Sequence, residues 1–276
     1  MKIYVPPIKL QGIKTKLVLD IKNLSNKIKF NRWVEPFMGS GVVAFNMDAK
    51  NFYLADSNPH LINFYNNLKL NKISPKKIKE FLYAEGQKLE KFKDEYYYEV
   101  RERFNRNKNS LDFLFLNRAG FNGMIRFNKK GNLNIPFCKN TNRFSKSYIT
   151  KIYNQSKYIY DFLKIKNVLF KKNNYLKTIE NCKTKDLLYC DPPYLGRHVD
   201  YFNSWNKNDD LLLIEKLKKI KCYFILSTWH SNNYRKNELI KDYKNNFNMI
   251  TKEHFYHVGG SIKNRGFMKE ALIYNF

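Results

Sequence analysis

Acidic residues are scarce in this chain: 24 Asp and Glu stand against 51 Lys and Arg over 276 residues, leaving a formal net charge of +27. A surplus of that size exceeds what solubility requires and implies a polyanionic partner, nucleic acid first among them. Codon usage in an AT-rich genome would enrich Lys and Asn, but it gives no reason for acids to be few. Cysteine is sparse too. Cys138, Cys182, Cys190 and Cys222 show neither Cys-x-x-Cys spacing nor a histidine at ligand spacing. That argues against zinc and against a disulfide framework, so the expectation is no metal and a reducing cytoplasm. No apolar run approaches the roughly 18 residues of a membrane-spanning helix. Lys2, Pro6, Pro7 and Lys9 also interrupt any signal-like core, so a soluble protein that meets no membrane and is not exported is expected. No internal repeat stands out.

What is present is aromatic surface. With 20 Tyr and 22 Phe in a chain that is 43% hydrophobic, composition argues against disorder. The length suits one large α/β domain, or a catalytic domain with an insertion. Residues 14 to 24 place Leu17, Val18, Ile21 and Leu24 on one helical face. Arg32 to Phe37 reads as a strand entering the glycine turn Met38-Gly39-Ser40-Gly41, with a helix starting near Val42. A second strand, Phe52 to Ala55, ends at Asp56. Strand, glycine turn, helix, strand and acid form the first half of a nucleotide-type crossover. Residues 60 to 145 turn helical. They close with an alternating pair, Met124 to Phe127 and Leu133 to Phe137, read as a β-hairpin about Lys129-Lys130-Gly131-Asn132. A helix near 148 to 164 follows, then strands at Asn167 to Phe170, Leu187 to Cys190, Cys222 to Ser227 and Ala271 to Phe276. Apolar strands between helices predict an α/β fold with a doubly wound, mostly parallel sheet. The helical and hairpin segment is its insertion. The expected division is 1–59 with 146–276 as one domain and 60–145 as the other.

The sharpest chemical signal is Asp191-Pro192-Pro193-Tyr194, directly after the apolar strand Leu187 to Cys190. In an open α/β sheet, ligands bind at that end of a strand. Two prolines stiffen the turn and leave carbonyl acceptors beside a carboxylate, and the tyrosine supplies a stacking face. Together they can hold a planar amino group: Asp191 and the Pro192 carbonyl accept its two hydrogens. Such acceptors favour nucleophilicity at a nitrogen whose lone pair is otherwise delocalised into a ring. The glycine turn lacks the full Gly-x-Gly-x-x-Gly spacing and no phosphate-gripping Lys-Ser/Thr follows, so a nucleoside without phosphates is favoured over a dinucleotide. Asp56 is placed to accept from ribose hydroxyls. Trp205, Trp229, His230 and the loop Gly196 to Tyr201 follow strand ends, from which they can close over a ligand, although packing roles are commoner. Gly259-Gly260-Ser261 with Lys263 and Arg265 reads as a basic loop or a plain hairpin tip.

These residues, with Gln11-Gly12-Ile13-Lys14, Glu35-Pro36-Phe37 and Asn117-Arg118-Ala119-Gly120-Phe121-Asn122-Gly123-Met124-Ile125-Arg126-Phe127-Asn128, resemble the DNA adenine methylase family from about Pro7 to Phe276. The resemblance implies a Rossmann-like methyltransferase fold with a target-recognition insertion. It implies methyl transfer from S-adenosylmethionine to adenine N6 in duplex DNA, with the target base flipped into the Asp191-Pro192-Pro193-Tyr194 pocket. Cofactor contacts are implied for Leu10, Gly12, Lys14, Phe37, Gly39, Ser40, Gly41, Asp56, Asn174, Tyr175 and Asp191. Relatives usually carry an aromatic at the Leu10 position and an Asp-Phe pair where Asn174-Tyr175 stands. On the DNA side, Phe121 and Asn122 would meet the space left by the extruded adenine. Met124 and Pro136 would touch a thymine methyl and Arg126 a guanine edge, which suits the chemistry of each side chain. Lys9, Asn128 and Lys139 complete the set. GATC is the leading expectation for the site, though Cys138-Lys139-Asn140 replaces the usual Gly followed by Arg or Tyr. Cytosine-N4 transfer and a non-catalytic DNA-binding protein are the alternatives. The resemblance leaves open whether a cognate restriction endonuclease accompanies the chain, which is expected near bacterial nucleoid DNA, and it leaves the oligomeric state open.

Overall fold

The computed structural model describes residues 2–194, 205–232, 234–256 and 266–276. Its frame is a seven-stranded sheet of β1 (Arg32–Glu35), β2 (Asn51–Asp56), β3 (Asn167–Lys172), β4 (Asp186–Cys190), β5 (Tyr223–Asn232), β6 (Asn248–Tyr256) and β7 (Gly266–Tyr274), in the order β3-β2-β1-β4-β5-β7-β6. The first five strands pair in parallel, and β7 runs antiparallel between β5 and β6. The strand order reverses between β1 and β4, so their carboxyl ends border one crevice. The expected mostly parallel, doubly wound sheet is therefore present.

Period-two alternation sorts the strand residues onto two buried faces. Trp33, Phe52, Leu54, Leu187, Tyr189 and Leu272 pack on one side, against α1 (Val18–Ser25) and α2 (Pro59–Lys69). The same cluster runs on into α3 (Pro75–Asn107), α4 (Ser110–Ala119) and α5 (Lys146–Ile165). Val34, Tyr53, Ala55, Leu188, Cys190 and Leu226 pack on the other side. There α6 (Tyr175–Glu180), α7 (Lys207–Lys219) and α8 (Ile240–Asn246) cover them. All five residues of β4 are buried, as expected of a central parallel strand covered on both faces.

Several local expectations give way to the structure. The helix expected from Val42 is a single 3-10 turn, Ala44–Asn46, because the Asn46 side chain donates back to the Val42 and Tyr4 carbonyls and the chain extends at Met47. β1 stops at Glu35, two residues early. Strand β6 was not foreseen: Lys252 and Glu253 break its apolar pattern, as befits an edge strand paired only with β7. The expected hairpin is a looser loop. It holds only the isolated bridges Gly120↔Phe137 and Phe127↔Leu133, after a 3-10 turn at Phe121–Gly123, and Pro136 has no N–H for a ladder. The loop from Gly196 to Tyr201 and the basic turn at Gly259 to Arg265 lie outside the described residues.

Leu188 lies fully buried at the centre of the sheet, whereas Ile165 at the end of α5 is 80% exposed. Leu188→Ala should cost about 2 to 5 kcal/mol in urea unfolding with an unchanged slope, and Ile165→Ala within about 0.5 kcal/mol. Equal effects of the two would contradict this packing.

Candidate active site

Asp56 ends β2 with its side chain buried. Oδ2 accepts the Gly39 N–H at 2.9 Å and Oδ1 accepts the Asn58 N–H at 2.8 Å. Burial pushes its pKa up, and the two backbone donors oppose that. Asp56 thus holds the glycine turn onto the sheet, and each of its oxygens keeps a further lone pair for a ligand. The glycines have separable reasons. Gly41 (φ +75°) is a packing position, because a Cβ there would sit 2.4 Å from the Phe45 ring. Gly12 (φ +77°) has nothing within 4 Å of where a Cβ would be, and Gly39 (φ +51°) meets only Leu10 Cδ1 at 3.4 Å. Open space therefore lies before Gly12, and left-handed backbone holds it open. Ser40 is buried, and its carbonyl accepts the Tyr65 hydroxyl at 2.6 Å.

An aromatic group adjoins the turn. Phe37 stacks on Tyr175 at 5.3 Å and meets Trp205 edge-on at 5.5 Å, with Tyr175 and Trp205 at 5.1 Å. Trp205 is fixed by its indole N–H on Asp210 at 2.8 Å. Asn174 is exposed, and its side chain caps α6 by accepting from the Leu176 N–H at 2.8 Å. The structure thus brings Tyr175 to Phe37 and gives Asn174 a local task. Of the other late residues, Trp229 lies under Arg235 and His230 pairs with Ser231.

At the carboxyl end of β4, Asp191 Oδ1 lies 3.1 Å from the ammonium of Lys14. Lys14 is buried, donates to the Gly12 carbonyl at 3.1 Å, and sits 4.6 Å from the centre of the Tyr194 ring. Glu270 of β7, also buried, lies 3.6 Å from the same ammonium and accepts the Tyr194 hydroxyl at 2.8 Å. Burial alone would depress the Lys14 pKa, but Asp191, Tyr194 and Glu270 outweigh it and hold the group charged well above the ordinary lysine range. Glu35, at the end of β1, is 1% exposed and accepts the Trp33 indole N–H at 2.8 Å. Burial, with the charge of Asp191, pushes its pKa up to about 8 despite that hydrogen bond.

In the hairpin loop, Ile125, Phe127, Leu133, Ile135 and Phe137 point inward, while Phe121, Asn122, Arg126 and Pro136 are exposed and Met124 is half-buried. Phe127 stacks on His60 of α2 at 4.9 Å and Phe137 on Tyr97 of α3 at 5.1 Å, so the base of the loop is anchored. The Arg126 guanidinium folds onto its own loop, donating from Nε and Nη2 to the Asn134 carbonyl at 2.9 and 2.7 Å. Asn128 serves the turn, its oxygen accepting from the Lys130 and Asn132 N–H groups. Lys9 is clamped to the loop's root by reciprocal 2.8 Å bonds between its backbone and the Asn117 side chain, and Gly123 packs against its stem. Burial, then Arg118, Arg143 and Lys151, lower the Lys9 pKa. Lys139 is exposed at φ +56°, 4.0 Å from Asp94.

From the sequence no role is assigned to Glu270 or Arg143, and Glu35 and Arg118 figure only within the segments that carry the resemblance. Burial, then Arg143, push buried Arg118 down to about 10. The available signal for Glu270 is an acid that, with Lys269, directly precedes the apolar run Ala271 to Ile273. Among the described residues no group of three or more His, Cys, Asp or Glu side chains is arranged to hold a metal ion, and no helix is long and apolar enough to cross a membrane.

The family model for D12 class N6 adenine-specific DNA methyltransferases matches residues 11–258. The DNA adenine methylase of Vibrio cholerae serotype O1 is 34% identical over 192 residues, covering 68% of this chain and 64% of that protein. The DNA adenine methylase of Haemophilus influenzae is 34% identical over 198 residues, with 68% and 63% covered, and that of Escherichia coli K12 is 34% identical over 194 residues, with 68% and 64% covered. The chain thus spans a little under two thirds of the length of these relatives.

The Glu35 shift has a testable sign. Its carboxyl releases a proton near its ordinary value of 4.5 when unfolded, but only near about 8 when folded. Its contribution to stability is therefore complete below the unfolded value and lost as pH rises through the folded one. The melting temperature of Glu35→Gln relative to wild type should rise between pH 5 and pH 8. A difference that stays constant across that range would show that Glu35 ionises normally.

Proposed function

The chain belongs to the D12 class N6 adenine-specific DNA methyltransferases, and from that premise we propose that it transfers the methyl group of S-adenosylmethionine to the exocyclic amino nitrogen of adenine in duplex DNA. The observation that carries this reading is Asp191-Pro192-Pro193-Tyr194 at the carboxyl end of β4, directly across the sheet's reversal point from the end of β1 and its glycine turn. The residues present fit a nucleoside cofactor. Gly12 leaves room for close approach, Asp56 offers carboxylate lone pairs to ribose hydroxyls, and Phe37 with Tyr175 gives a purine-sized aromatic wall. The bound cofactor supplies an electrophilic methyl on a sulfonium.

The chain's own groups do the rest by position and charge. Asp191 and the Pro192 carbonyl accept the two amino hydrogens of the target base, stabilising positive charge that develops on its nitrogen. The Tyr194 ring offers an aromatic surface to that base. Lys14 orients Asp191. The reading needs no metal and no covalent enzyme intermediate.

The exposed side of the hairpin loop supports DNA recognition. Phe121 and Asn122 project from its start, where they can fill the gap left by a flipped base. Met124 and Pro136 offer apolar contact to a thymine methyl. Arg126 spends two N–H groups on Asn134 and keeps the rest of its fork for guanine. Lys9, Asn128 and Lys139 flank this surface, and Arg118 with Arg143 concentrates positive charge at its root, suited to phosphate. GATC or a related short sequence is the proposed target, read on chromosomal DNA in the cytoplasm.

Duplex DNA incubated with the purified chain and labelled cofactor, then digested to nucleosides, should contain N6-methyladenine, and Asp191→Ala should lower its rate of formation at least about 100-fold. N4-methylcytosine would reassign the base. Absence of any methylated nucleoside, with DNA still bound, would leave a DNA-binding protein instead.

A further inference from the structure

Lys14 stands between two carboxylates, and only one of them, Asp191, belongs to the Asp191-Pro192-Pro193-Tyr194 run. Asp191 lies 3.1 Å from the ammonium and Glu270 3.6 Å, both with side chains largely or wholly out of water. Glu270 comes from β7, a strand two positions away from β4 in the sheet, and also receives the Tyr194 hydroxyl at 2.8 Å. We infer that Glu270 is a positioning residue for methyl transfer: its charge shares Lys14, which keeps Asp191 a strong acceptor, and its oxygen fixes the Tyr194 ring.

The electrostatics are simple. A buried ammonium with one carboxylate neighbour forms a neutral pair, and a carboxylate so neutralised accepts weakly from an incoming amino group. A second carboxylate beside the same ammonium adds negative charge next to a site where positive charge develops in the transition state. It also offers Lys14 an alternative partner when Asp191 engages the base. Among the described residues near Asp191, further titratable groups are shifted by burial. Burial pushes the Glu35 carboxyl of β1 up to about 8 and raises the phenols of Tyr189 and Tyr194.

This inference rests on the activity proposed above, and the test separates the two. Glu270→Gln keeps the side chain's volume and an acceptor for Tyr194 but removes the charge. In single-turnover transfer to duplex DNA its rate should fall about 10- to 100-fold, with the cofactor dissociation constant within about two-fold of wild type. The acid limb of its rate profile should move to lower pH, because loss of a neighbouring negative charge makes Asp191 easier to ionise. Independently of activity, the Lys14 titration followed by NMR of ε-13C-lysine should move to lower pH in Glu270→Gln. An unmoved Lys14 titration, a wild-type rate, or a slower rate with an unshifted acid limb would overturn the assignment. Should the unsubstituted chain make no N6-methyladenine, the activity reading fails, while the Lys14 titration still decides whether Glu270 holds that ammonium.

Discussion

A buried ammonium cannot stay charged without close anionic partners. Lys14 meets that constraint with two carboxylates from distant parts of the chain, Asp191 at the end of β4 and Glu270 on β7, and also donates to the Gly12 carbonyl beside it. Satisfying it draws the N-terminal segment across the carboxyl ends of the strands. Leu10 then comes over Gly39 of the glycine turn, and Lys9 reaches the root of the hairpin loop through Asn117. The proposed cofactor crevice, the proposed acceptor for the amino group and the hairpin loop are held together by this one crossing. Asp56 plays the corresponding part on the other side, tying the glycine turn and the start of α2 to β2.

Features written in a few consecutive residues were legible in the sequence. The apolar run before Asp191 became a fully buried central strand, and the alternation from Met124 to Phe137 sorted its side chains inward and outward even though the ladder itself did not form. Both readings depend on period-two geometry, which survives a change in hydrogen bonding. The helix expected after the glycine turn failed because Asn46 diverts its amide to the Tyr4 and Val42 carbonyls, a contact from 42 residues away. Strand β6 was hidden by charges that an exposed edge tolerates.

Residues whose task depends on distant neighbours were the illegible ones. Glu270 gains its meaning only once β7 inserts beside β5, and Arg118 only once α4 is packed under Arg143. Asn174 and Asn128 show the reverse. Both sat at positions matched to ligand contacts, and each uses its side-chain oxygen on a nearby backbone N–H, the commonest use of asparagine at a turn or helix start.

Charge and shape converge on the same loop. Its inward Phe127 and Phe137 anchor it on α2 and α3, its outward residues include those proposed to read base edges, and Lys9, Arg118 and Arg143 gather at its root. If that loop selects the target, specificity should reside in Arg126 and be separable from chemistry. Base-resolved mapping of methylation in DNA exposed to wild type and to Arg126→Ala tests this most directly. The account predicts adenines within one short sequence for wild type, and relaxation at a single base pair by about 1 to 3 kcal/mol for the variant. Methylation scattered without sequence preference, or an equal loss on every sequence, would contradict it.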